Sequence, residues 1–355
     1  MTWKNFQEDA YNLTKTDIRQ LTNRVLQNYR DAIKYIDGLL RESYARFLTG
    51  ISPENYYNEM IKRDRLENLL SQMKREYSKY SLKSERDISN LLSVSFSNTY
   101  YRKIFAANWL TEKNVFGLLP SALNELTVLG TNEAWRNIRK DLRDRFGTLS
   151  NYMPQQGTLS KLLKNNRIKE LGQIQSAITQ RFINGSSYTQ TINQIKDAIG
   201  REFKDGNVTK YTGAKSNALR IIRTEGNRVM NSAGYAADKN LEANGIDTKR
   251  RLVAVLDNKT RAQSATMDGQ TVGVDEPFRY PNGVKAMFPG TTGVAKYDIN
   301  DRETVITIIE GMEPGLRIGR NPVTGENEYF SYKDFDTWAE EKGLSKNFYG
   351  EYIRK

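Results

Sequence analysis

The stretch RTEGNRVMNSAGYAA, residues 223–237, combines closely spaced charges with a run of small side chains. If the segment is helical, Arg223, Glu225 and Arg228 lie within two turns and Asn231 follows them. Glu225 then faces Arg228, whereas Arg223 points to another side of the helix and needs a different partner. We expect these side chains to hold backbone or carboxylate groups of the following strand and turn. They would act as a structural clasp.

The small residues of the same stretch predict a helix with one thin face. They are Gly226, Ala233, Gly234, Ala236 and Ala237. Glycine inside a helix is less favourable than alanine by about 1 kcal/mol, so it is usually kept where something packs close to the helix. The alternative is an ordinary surface helix whose charges have no common purpose.

Helical periodicity dominates the chain before this stretch. Apolar residues recur at steps of three and four over 15–47, which predicts one long helix. Ser52 and Pro53 predict a restart, as N-cap and first helical residue, and Ser84 predicts the start of another helix. A fourth helix fits 131–147, with Thr131 and Asn132 as caps and Gly147 as its end. The first part of the chain is therefore predicted to be all-helical.

A cluster of Gly, Pro, Ser and Asn near residue 154 predicts the main boundary. Further helices are predicted over residues 158–184, 187–203 and 215–243. Strands are predicted in RRLVAVLDN (250–258), in TVITIIE (304–310) and in two arms around the turn PVTG at 322–325. The Gly- and Pro-rich residues 275–293 look too irregular for regular elements, and the last residues, with Phe335, Trp338, Phe348 and Tyr352, predict one or two short helices.

The predicted fold class is α+β, with a mostly helical N-terminal module followed by a C-terminal domain of helices packed on a small antiparallel sheet. We predict an all-helical module at 1–153, a domain of helices and then a small sheet at 154–310, and a hairpin with C-terminal helices at 311–355 that completes this domain.

Composition excludes several classes of protein. The chain has 355 residues, 38% of them apolar, and no Cys or His. Disulfides, Cys/His zinc sites and catalysis by a Cys or Ser–His pair are therefore impossible. No apolar run is long enough for a membrane span, and the N-terminus lacks a secretory signal, so we expect no membrane anchor.

The chain is strongly basic, with a formal net charge of +12. The excess is largest in residues 151–250, which hold 16 Lys and Arg against 8 Asp and Glu. Such a block favours contact with a polyanion such as DNA or with an acidic protein; the alternative is a merely solubilising surface. The DNA-contact candidates are Lys161, Lys164, Arg167, Lys169, Lys210 and Lys215. Tyrosines interleaved with cations in YSKYSLKSER (77–86) could stack on single strands, although packing inside a helical module is the stronger interpretation.

A second constellation lies in LDNKTRAQSATMDGQTV, residues 256–272. Asp257 is predicted to cap backbone N–H groups after a strand, Thr260 and Arg261 to start a short helix, and Asp268 and Gly269 to form a turn. The two aspartates could instead form a metal or acid/base pair. We favour capping, because no further ligand is evident.

The order of these motifs resembles the Mu F-like head morphogenesis family, the minor head proteins of tailed phages. The resemblance covers about 160–310. Its first element is Arg-Thr-Glu with a downstream Arg and Asn, and this chain has Arg223, Thr224, Glu225, Arg228 and Asn231. Its central element matches at Asp257, Thr260, Arg261, Asp268 and Gly269, and its last element at Asn300 and Arg302.

The departures from the family pattern concern three possible metal ligands. Ser264 stands where the family often has His, and Asp301 and Glu303 stand at two Cys positions. A soft-metal site is thereby lost, and we expect these acids to join an ion-pair network with Arg223, Arg228 or Arg261. Because the Arg, Asp and Gly frame is kept, we interpret it as structural, with no catalytic residue, metal or cofactor.

The resemblance implies a low-copy internal component of a tailed-phage head. It would associate with the portal and other capsid or scaffold proteins, with non-specific DNA contact, and act in head assembly or genome ejection. It would be assembled in the host cytoplasm. The alternative is a nuclease or transferase that uses Asp257, Asp268, Asp301 and Glu303 around Mg²⁺.

Overall fold

The computed structural model describes residues 3–111, 156–206, 208–310, 313, 315–331, 333–346 and 352–354. The described residues fall into two compact units. Unit 1 combines those up to Leu91 with those from 156 to Ile222, and unit 2 combines 92–111 with those from Arg223 onward. Each unit is therefore built from two separate stretches of the chain. The sequential division at residues 153 and 310 stays a prediction.

Unit 1 begins with long helices whose apolar faces form its core. Helix α1 spans Trp3–Ser43 and continues as a π-helical turn at Tyr44–Leu48. A 3-10 turn with Pro53 at its first position leads into α2 (Tyr56–Ile61), and α3 (Arg65–Thr111) follows. The predicted restart after Gly50 is present, with Ser52 in the extended conformation of an N-cap. The helix predicted at 131–147, with Thr131, Asn132 and Gly147, lies outside the described residues.

The prediction that Ser84 starts a new helix is wrong. Ser84 lies inside α3, where its hydroxyl donates to the carbonyl of Tyr80 at 3.2 Å. The same hydroxyl accepts a bond from Asn28 of α1 at 3.1 Å. Its side chain thus serves its own helix and a neighbour, which removes the need for a break.

Two further helices and a hairpin complete unit 1. Helix α4 spans Gln156–Ile183, and α5 spans Tyr188–Ile199 with a capping box formed by Ser187 and Gln190. The predicted extension of α5 to residue 203 is wrong. Gly200, at φ 127°, ends the helix, and strands β1 (Glu202–Asp205) and β2 (Val208–Tyr211) form an antiparallel hairpin.

Helix α6, Gly213–Ala243, leads into the mixed part of the protein. Strand β3 (Thr248–Val253) is the centre of a three-stranded antiparallel sheet between β4 (Thr271–Gly273) and β7 (Thr304–Ile309). The short helix α7, Ala262–Met267, lies between β3 and β4 along the chain. This arrangement confirms the predicted α+β class.

The predicted irregular stretch contains more order than expected. Strands β5 (Phe278–Arg279) and β6 (Lys285–Ala286) pair around a 3-10 turn, and a short helix, α8 (Ala295–Asp298), follows. Strands β8 (Leu316–Arg320) and β9 (Asn327–Ser331) form the predicted hairpin.

The C-terminal residues contain one described helix, α9 at Phe335–Glu341. A second helix was the other predicted option, and among the described residues it is replaced by strands β10 (Leu344–Lys346) and β11 (Tyr352–Arg354). Gly343, at φ 69°, turns the chain out of α9. Phe348 lies outside the described residues.

Two apolar clusters lie along β3 and the residues that follow it. The first contains Leu252, Met267, Phe278, Tyr280, Ala286, Tyr297 and Val305. The second contains Ala254, Leu256, Ala265, Phe335, Trp338, Ala339 and Leu344. The polar side chains described next connect these clusters to α6 and to the loops.

Candidate functional site: a network of charged side chains

Asn231 of α6 substitutes for a strand partner at the start of β7. Its amide nitrogen donates to the Glu303 carbonyl at 2.9 Å, and its amide oxygen accepts from the Val305 N–H at 3.1 Å. Asn227, one turn earlier, donates to the same Glu303 carbonyl at 3.1 Å. Helix α6 therefore holds the backbone of residues 303–305 through side-chain amides.

The turn before β7 is held by the start of the motif. Arg223 donates from Nε to the side-chain oxygen of Asn300 at 3.2 Å, and the Thr224 hydroxyl accepts from the Asn300 N–H at 3.0 Å. Asn300 has a positive φ of 54°, a conformation that asparagine tolerates better than most residues. Arg223 and Thr224 thus bind a turn that only a few residue types can form.

Glu225 and Arg228 pair along the helix, three residues apart. Arg228 Nη1 lies 2.9 Å from both Glu225 carboxylate oxygens, and its Nε donates to the Gly290 carbonyl at 2.6 Å. Burial raises the pKa of Glu225, and Arg228 opposes this shift. Gly290, at φ 87°, leaves room for Arg228, since a Cβ there would lie 3.2 Å from the Arg228 Cβ.

Asp257 binds both its own turn and a distant arginine. Its carboxylate accepts from the Lys259 N–H at 2.9 Å and from the Thr260 hydroxyl at 3.1 Å. Arg302 donates to both Asp257 oxygens, at 2.6 and 2.9 Å. Burial works against ionisation, but the Arg302 bonds prevail and lower the pKa of Asp257. The capping role expected for Asp257 thus coexists with a bidentate ion pair.

Asp268 joins three separate parts of the chain. It accepts from the Ala254 N–H at 2.6 Å and from the Phe335 N–H at 2.8 Å. Arg317 of β8 donates to both of its oxygens, at 2.6 and 2.7 Å. The Asp268 side chain is 1% exposed and that of Arg317 7%. One buried ion pair therefore joins the end of β3, the β8 strand and the start of α9.

Arg317 is a residue that sequence reasoning missed. In the predicted strand LRIGR it lies on the face opposite Ile318, so alternation alone would have placed Ile318 inward and Arg317 outward. The structure has the reverse, with Arg317 8% and Ile318 41% exposed. Gly319 lies two residues after Arg317 on the same face of β8 and packs closely against its neighbours. A Cβ added there would lie 2.9 Å from Leu256 and 3.0 Å from Trp338.

Arg250 was missed as well and is fully buried. Its guanidinium donates to the carbonyls of Gly273, Glu276 and Met287, and it stacks 4.8 Å from the Tyr235 ring centroid. Burial lowers its pKa. Carbonyl oxygens and an aromatic ring thus surround this cation, and they fix the loop between β4 and β6.

Arg261 connects the start of α7 to the segment before β7. It donates to the carbonyls of Lys296 at 2.7 Å and Tyr297 at 3.1 Å, and it forms an ion pair with Asp301 at 3.1 Å. Of the three arginines that were candidates to meet the acids at 301 and 303, Arg261 makes the ion pair. Arg223 and Arg228 bind Asn300 and Glu225.

Asp301 and Glu303 form a buried acidic pair. They are 4% and 2% exposed, and the Asp301 carboxylate accepts from the Glu303 N–H at 3.1 Å. Tyr280 donates to Glu303 at 3.1 Å, and Ser264 also bonds to it. Burial and then the Glu303 charge raise the pKa of Asp301 to about 7, and burial raises that of Glu303. The Ser, Asp and Glu at the family's His and Cys positions are therefore brought together.

Gly269 and Gly234 have different structural roles. Gly269 adopts φ 81° in the turn after α7, and its N–H donates to the Leu252 carbonyl at 2.9 Å. At Gly234 an added Cβ would lie 2.9 Å from the Lys103 ammonium, which crosses α6 there to reach the buried Asp238 at 3.1 Å. A Cβ added at Gly226 would have no atom within 4 Å. Close packing therefore accounts for the glycine at 234 but not for the one at 226.

The DNA-contact candidates lie in unit 1 and differ in exposure. Lys161, Lys164 and Lys169 are exposed on α4. The other three form ion pairs: Arg167 with Glu85, Lys210 with Asp205, and Lys215 with Glu202. Lys215 is 3% exposed, so its ammonium is not presented at the surface.

The two aspartates that could have formed a cation site are bound to arginines. Asp257 and Asp268 are each occupied by a bidentate arginine. Within the part of the chain that the structure describes, no group of three or more acidic side chains is placed to hold a metal ion. In the same part, no helix is both long enough and apolar enough to cross a membrane.

Most of the network lies in a segment that resembles known phage proteins. Residues 172–303 match the family model described as Phage Mu protein F like protein. The chain is 24% identical over 339 residues to the minor head protein GP7 of Bacillus phage SPP1, which covers 96% of this chain and 98% of that protein. The chain is thus similar to the Mu F-like phage head proteins over residues 172–303, and to one minor head protein over nearly its whole length. This similarity supports a head-protein role.

A second relative has a different name. The chain is 31% identical over 183 residues to an NAD(+)–arginine ADP-ribosyltransferase, EFV, of Enterococcus faecalis. The match covers 51% of this chain but only 34% of that protein. The activity named for that protein therefore cannot be carried over from this similarity. No solved structure matches the chain.

Proposed function

We propose that the protein is a minor head protein of a tailed phage, present in few copies inside the head and associated with the portal. It would act in head assembly, in genome ejection or in both. The observation that carries this proposal is the similarity to a minor head protein along 96% of the chain. In this proposal residues 154–310, completed by 311–355, form the Mu F-like domain, and residues 1–153 form a helical module.

The charged network supports a structural role for that domain. Arg302, Arg317 and Arg228 each engage a carboxylate, and Arg223 and Asn231 bind backbone or amide groups. A reaction centre needs side chains that are free to bind a substrate. The side chains of this network instead bind one another and the backbone, and so join α6, the sheet and the loops. We infer that the frame of the Mu F-like motif is a scaffold for assembly.

Portal association is tested by co-expression of this chain with the portal protein of the same phage, without other virion proteins. We expect the two to co-purify and to elute together in size-exclusion chromatography. To control for charge-driven pull-down, the tagged portal protein is also co-expressed with an unrelated basic protein of equal net charge. Separate elution at low and moderate salt would contradict portal association.

Internal location and copy number are tested on purified virions. Quantitative mass spectrometry is expected to detect the chain at a small fraction of the major capsid protein. Protease treatment of intact virions should leave it uncut, whereas opened heads should lose it. A copy number near that of the major capsid protein, or cleavage in intact virions, would overturn the proposal.

DNA contact is proposed at the exposed face of α4. Lys161, Lys164 and Lys169 lie there, and the helix has one carboxylate, the buried Glu170. Neutralising phosphates releases counterions, so binding should weaken steeply with salt. Replacing the three lysines by Gln should make the slope of log affinity against log salt less negative by about 1 per lysine. Affinity that stays flat from low to high salt would contradict phosphate contact.

The enzyme alternative keeps a direct test. A nuclease would need Asp257, Asp268, Asp301 and Glu303 around Mg²⁺, but two of these hold arginines and no described triad of ligands is formed. Calorimetric titration with Mg²⁺ or Mn²⁺ and a plasmid-nicking assay decide the matter. Heat of binding together with nicking that Asp301→Asn abolishes would favour the enzyme over the scaffold.

A further inference from the structure

A row of cations lies along the exposed side of α3, away from the α4 lysines. Arg75, Lys79, Lys83 and Arg86 are all exposed, and their spacing of four, four and three residues places them on one face of the helix. At 1.5 Å per residue the row is about 16 Å long. We refer to these four residues as the α3 row.

Few negative charges oppose the α3 row. Glu76 lies 3.8 Å from Arg75 and 3.5 Å from Lys79, and its side chain is 14% exposed. Within the described residues, Lys83 and Arg86 have no carboxylate within ion-pair distance. The row therefore keeps most of its positive charge.

The tyrosines of this stretch point away from the row. Tyr77 is 1% exposed and donates to the buried Glu170 of α4 at 2.6 Å. Its ring lies 6.5 Å from that of Tyr29 of α1. Tyr80 is half-buried. No exposed aromatic ring is thus available between the described cations for stacking on a base.

The surroundings of the row are polar. On the same face lie Asn68, Gln72 and Asn90, all exposed, and Leu82 is 38% exposed. A protein interface usually has an apolar or aromatic core, which this face lacks. Single-strand binders combine cations with stacking rings, which it lacks as well. Charge without stacking matches the regularly spaced phosphates of a duplex.

We propose that the α3 row is a docking surface for the phosphates of double-stranded DNA, bound without regard to sequence. This inference rests on the DNA contact in the proposed function and adds a second helix, α3, which packs against α4 through the Arg167–Glu85 ion pair. It also specifies the form of the nucleic acid. The contact is electrostatic, so the row holds the duplex loosely and lets it slide.

The test compares three forms of the full chain by fluorescence anisotropy on a duplex of about 30 base pairs from 50 to 300 mM salt. They are the wild type, a row variant with Lys79→Gln, Lys83→Gln and Arg86→Gln, and a control variant with Lys249→Gln, Lys259→Gln and Lys285→Gln. The three control lysines are exposed in unit 2, so both variants lose the same charge. Glutamine keeps helix propensity close to that of Lys and Arg, and circular dichroism checks the fold.

For the row variant we expect affinity at 100 mM salt to fall at least about tenfold and the salt slope to become less negative by about 2 to 3. The control variant should stay within about twofold of the wild type. An equal loss of affinity in both variants would overturn the assignment of DNA binding to the α3 row. The proposed contact at the α4 lysines would remain. A wild type that binds no duplex at 50 mM salt would remove the DNA contact itself, and portal association would still be judged by co-purification.

Two competitors test the nature of the partner. We expect single-stranded DNA of the same length to compete less well than duplex. Tighter binding of the single strand, with a part that salt does not weaken, would indicate stacking and overturn the duplex assignment. Poly-glutamate that displaces duplex at equal charge concentration would show that an acidic protein fits the row as well, and it would overturn the commitment to DNA.

Discussion

At the scale of single residues, the protein places arginines where two or more backbone carbonyls or a carboxylate must be held at once. Arg250 and Arg317 each contact at least two segments that are distant in sequence, and Arg261 contacts Lys296, Tyr297 and Asp301 within one segment. The planar guanidinium suits this task, because its donors point in fixed directions toward several acceptors. Lysine could not make the same set of bonds.

Removing one member of the buried Arg317–Asp268 pair should strongly destabilise the fold. Arg317→Ala leaves the carboxylate of Asp268 buried without its cation, and we expect the free energy of unfolding to fall by about 3 to 5 kcal/mol. Chemical denaturation followed by circular dichroism measures the change. Lys346→Ala is the control, since its pair with Asp336 is about half exposed and should be worth less than about 1 kcal/mol. Similar losses in the two variants would contradict the assigned role.

These contacts show which residues of the candidate site could be predicted from the sequence. Asp257, Asp268, Arg302 and Asn231 were identifiable because they recur in an ordered motif. The partner of Asp268 was not, since Arg317 lies 49 residues away and no local pattern links the two. Pairing across such separations depends on the tertiary fold, which a single sequence does not encode in its spacing.

At the scale of elements, helices were easier to predict than short strands. The stripes of α1 and α6 repeat over many turns, so chance substitutions do not hide them. The hairpin of β1 and β2 has four residues in each strand, and β1 is exposed along its whole length. Strand β1 therefore lacks the alternation of buried and exposed side chains by which a strand is predicted from sequence. The break predicted at Ser84 failed for a related reason, because a cap-forming residue inside a helix can bond to the preceding turn.

Gly226 offers a test of helix propensity without a packing conflict. A methyl group there meets no atom within 4 Å, so Gly226→Ala should stabilise the protein by about 0.5 to 1 kcal/mol. Thermal unfolding would show this as a higher Tm. At Gly234 the same change brings the methyl against Lys103, and the gain should be smaller. A lower Tm for Gly226→Ala would mean that something does pack against α6 at this position.

At the scale of the whole molecule, each unit contains a buried acid that ionises with difficulty. In unit 1, burial raises the pKa of Glu170 to about 7. In unit 2, burial and the Glu303 charge raise the pKa of Asp301 to about 7, and burial raises that of Glu303. Neither site has enough cations nearby to offset its burial, since Arg167 pairs with Glu85 and Arg261 alone reaches the Asp301 pair among the described residues.

Stability should therefore fall as pH rises through neutrality. A carboxyl whose pKa is raised on folding contributes stability below its unfolded pKa, about 4, and loses that contribution as pH rises through its folded pKa, near 7. We expect the Tm to be lower at pH 8.5 than at pH 5.5. Asp257, whose pKa is lowered, acts in the opposite sense below about pH 4 and does not affect this window.

Neutral variants isolate the buried acids. In Glu170→Gln with Glu303→Gln, the decline in Tm between pH 5.5 and 8.5 should be much smaller than in the wild type. Asp275→Asn, at a carboxylate 69% exposed, should keep the wild-type slope. If the decline in Tm with pH were unchanged in the double variant, these acids would not be the cause of the lower stability at alkaline pH.

The two-part construction of each unit has a consequence for synthesis. On the ribosome, the residues of unit 1 before Leu91 emerge well before those between 156 and Ile222 that complete the unit. Likewise, residues 92–111 must wait for the chain beyond Arg223. Unit 1 cannot finish folding until the residues up to Ile222 have emerged, so apolar helix faces in its first segment stay uncovered until then. A chaperone that shields such faces during translation would raise the yield of native protein.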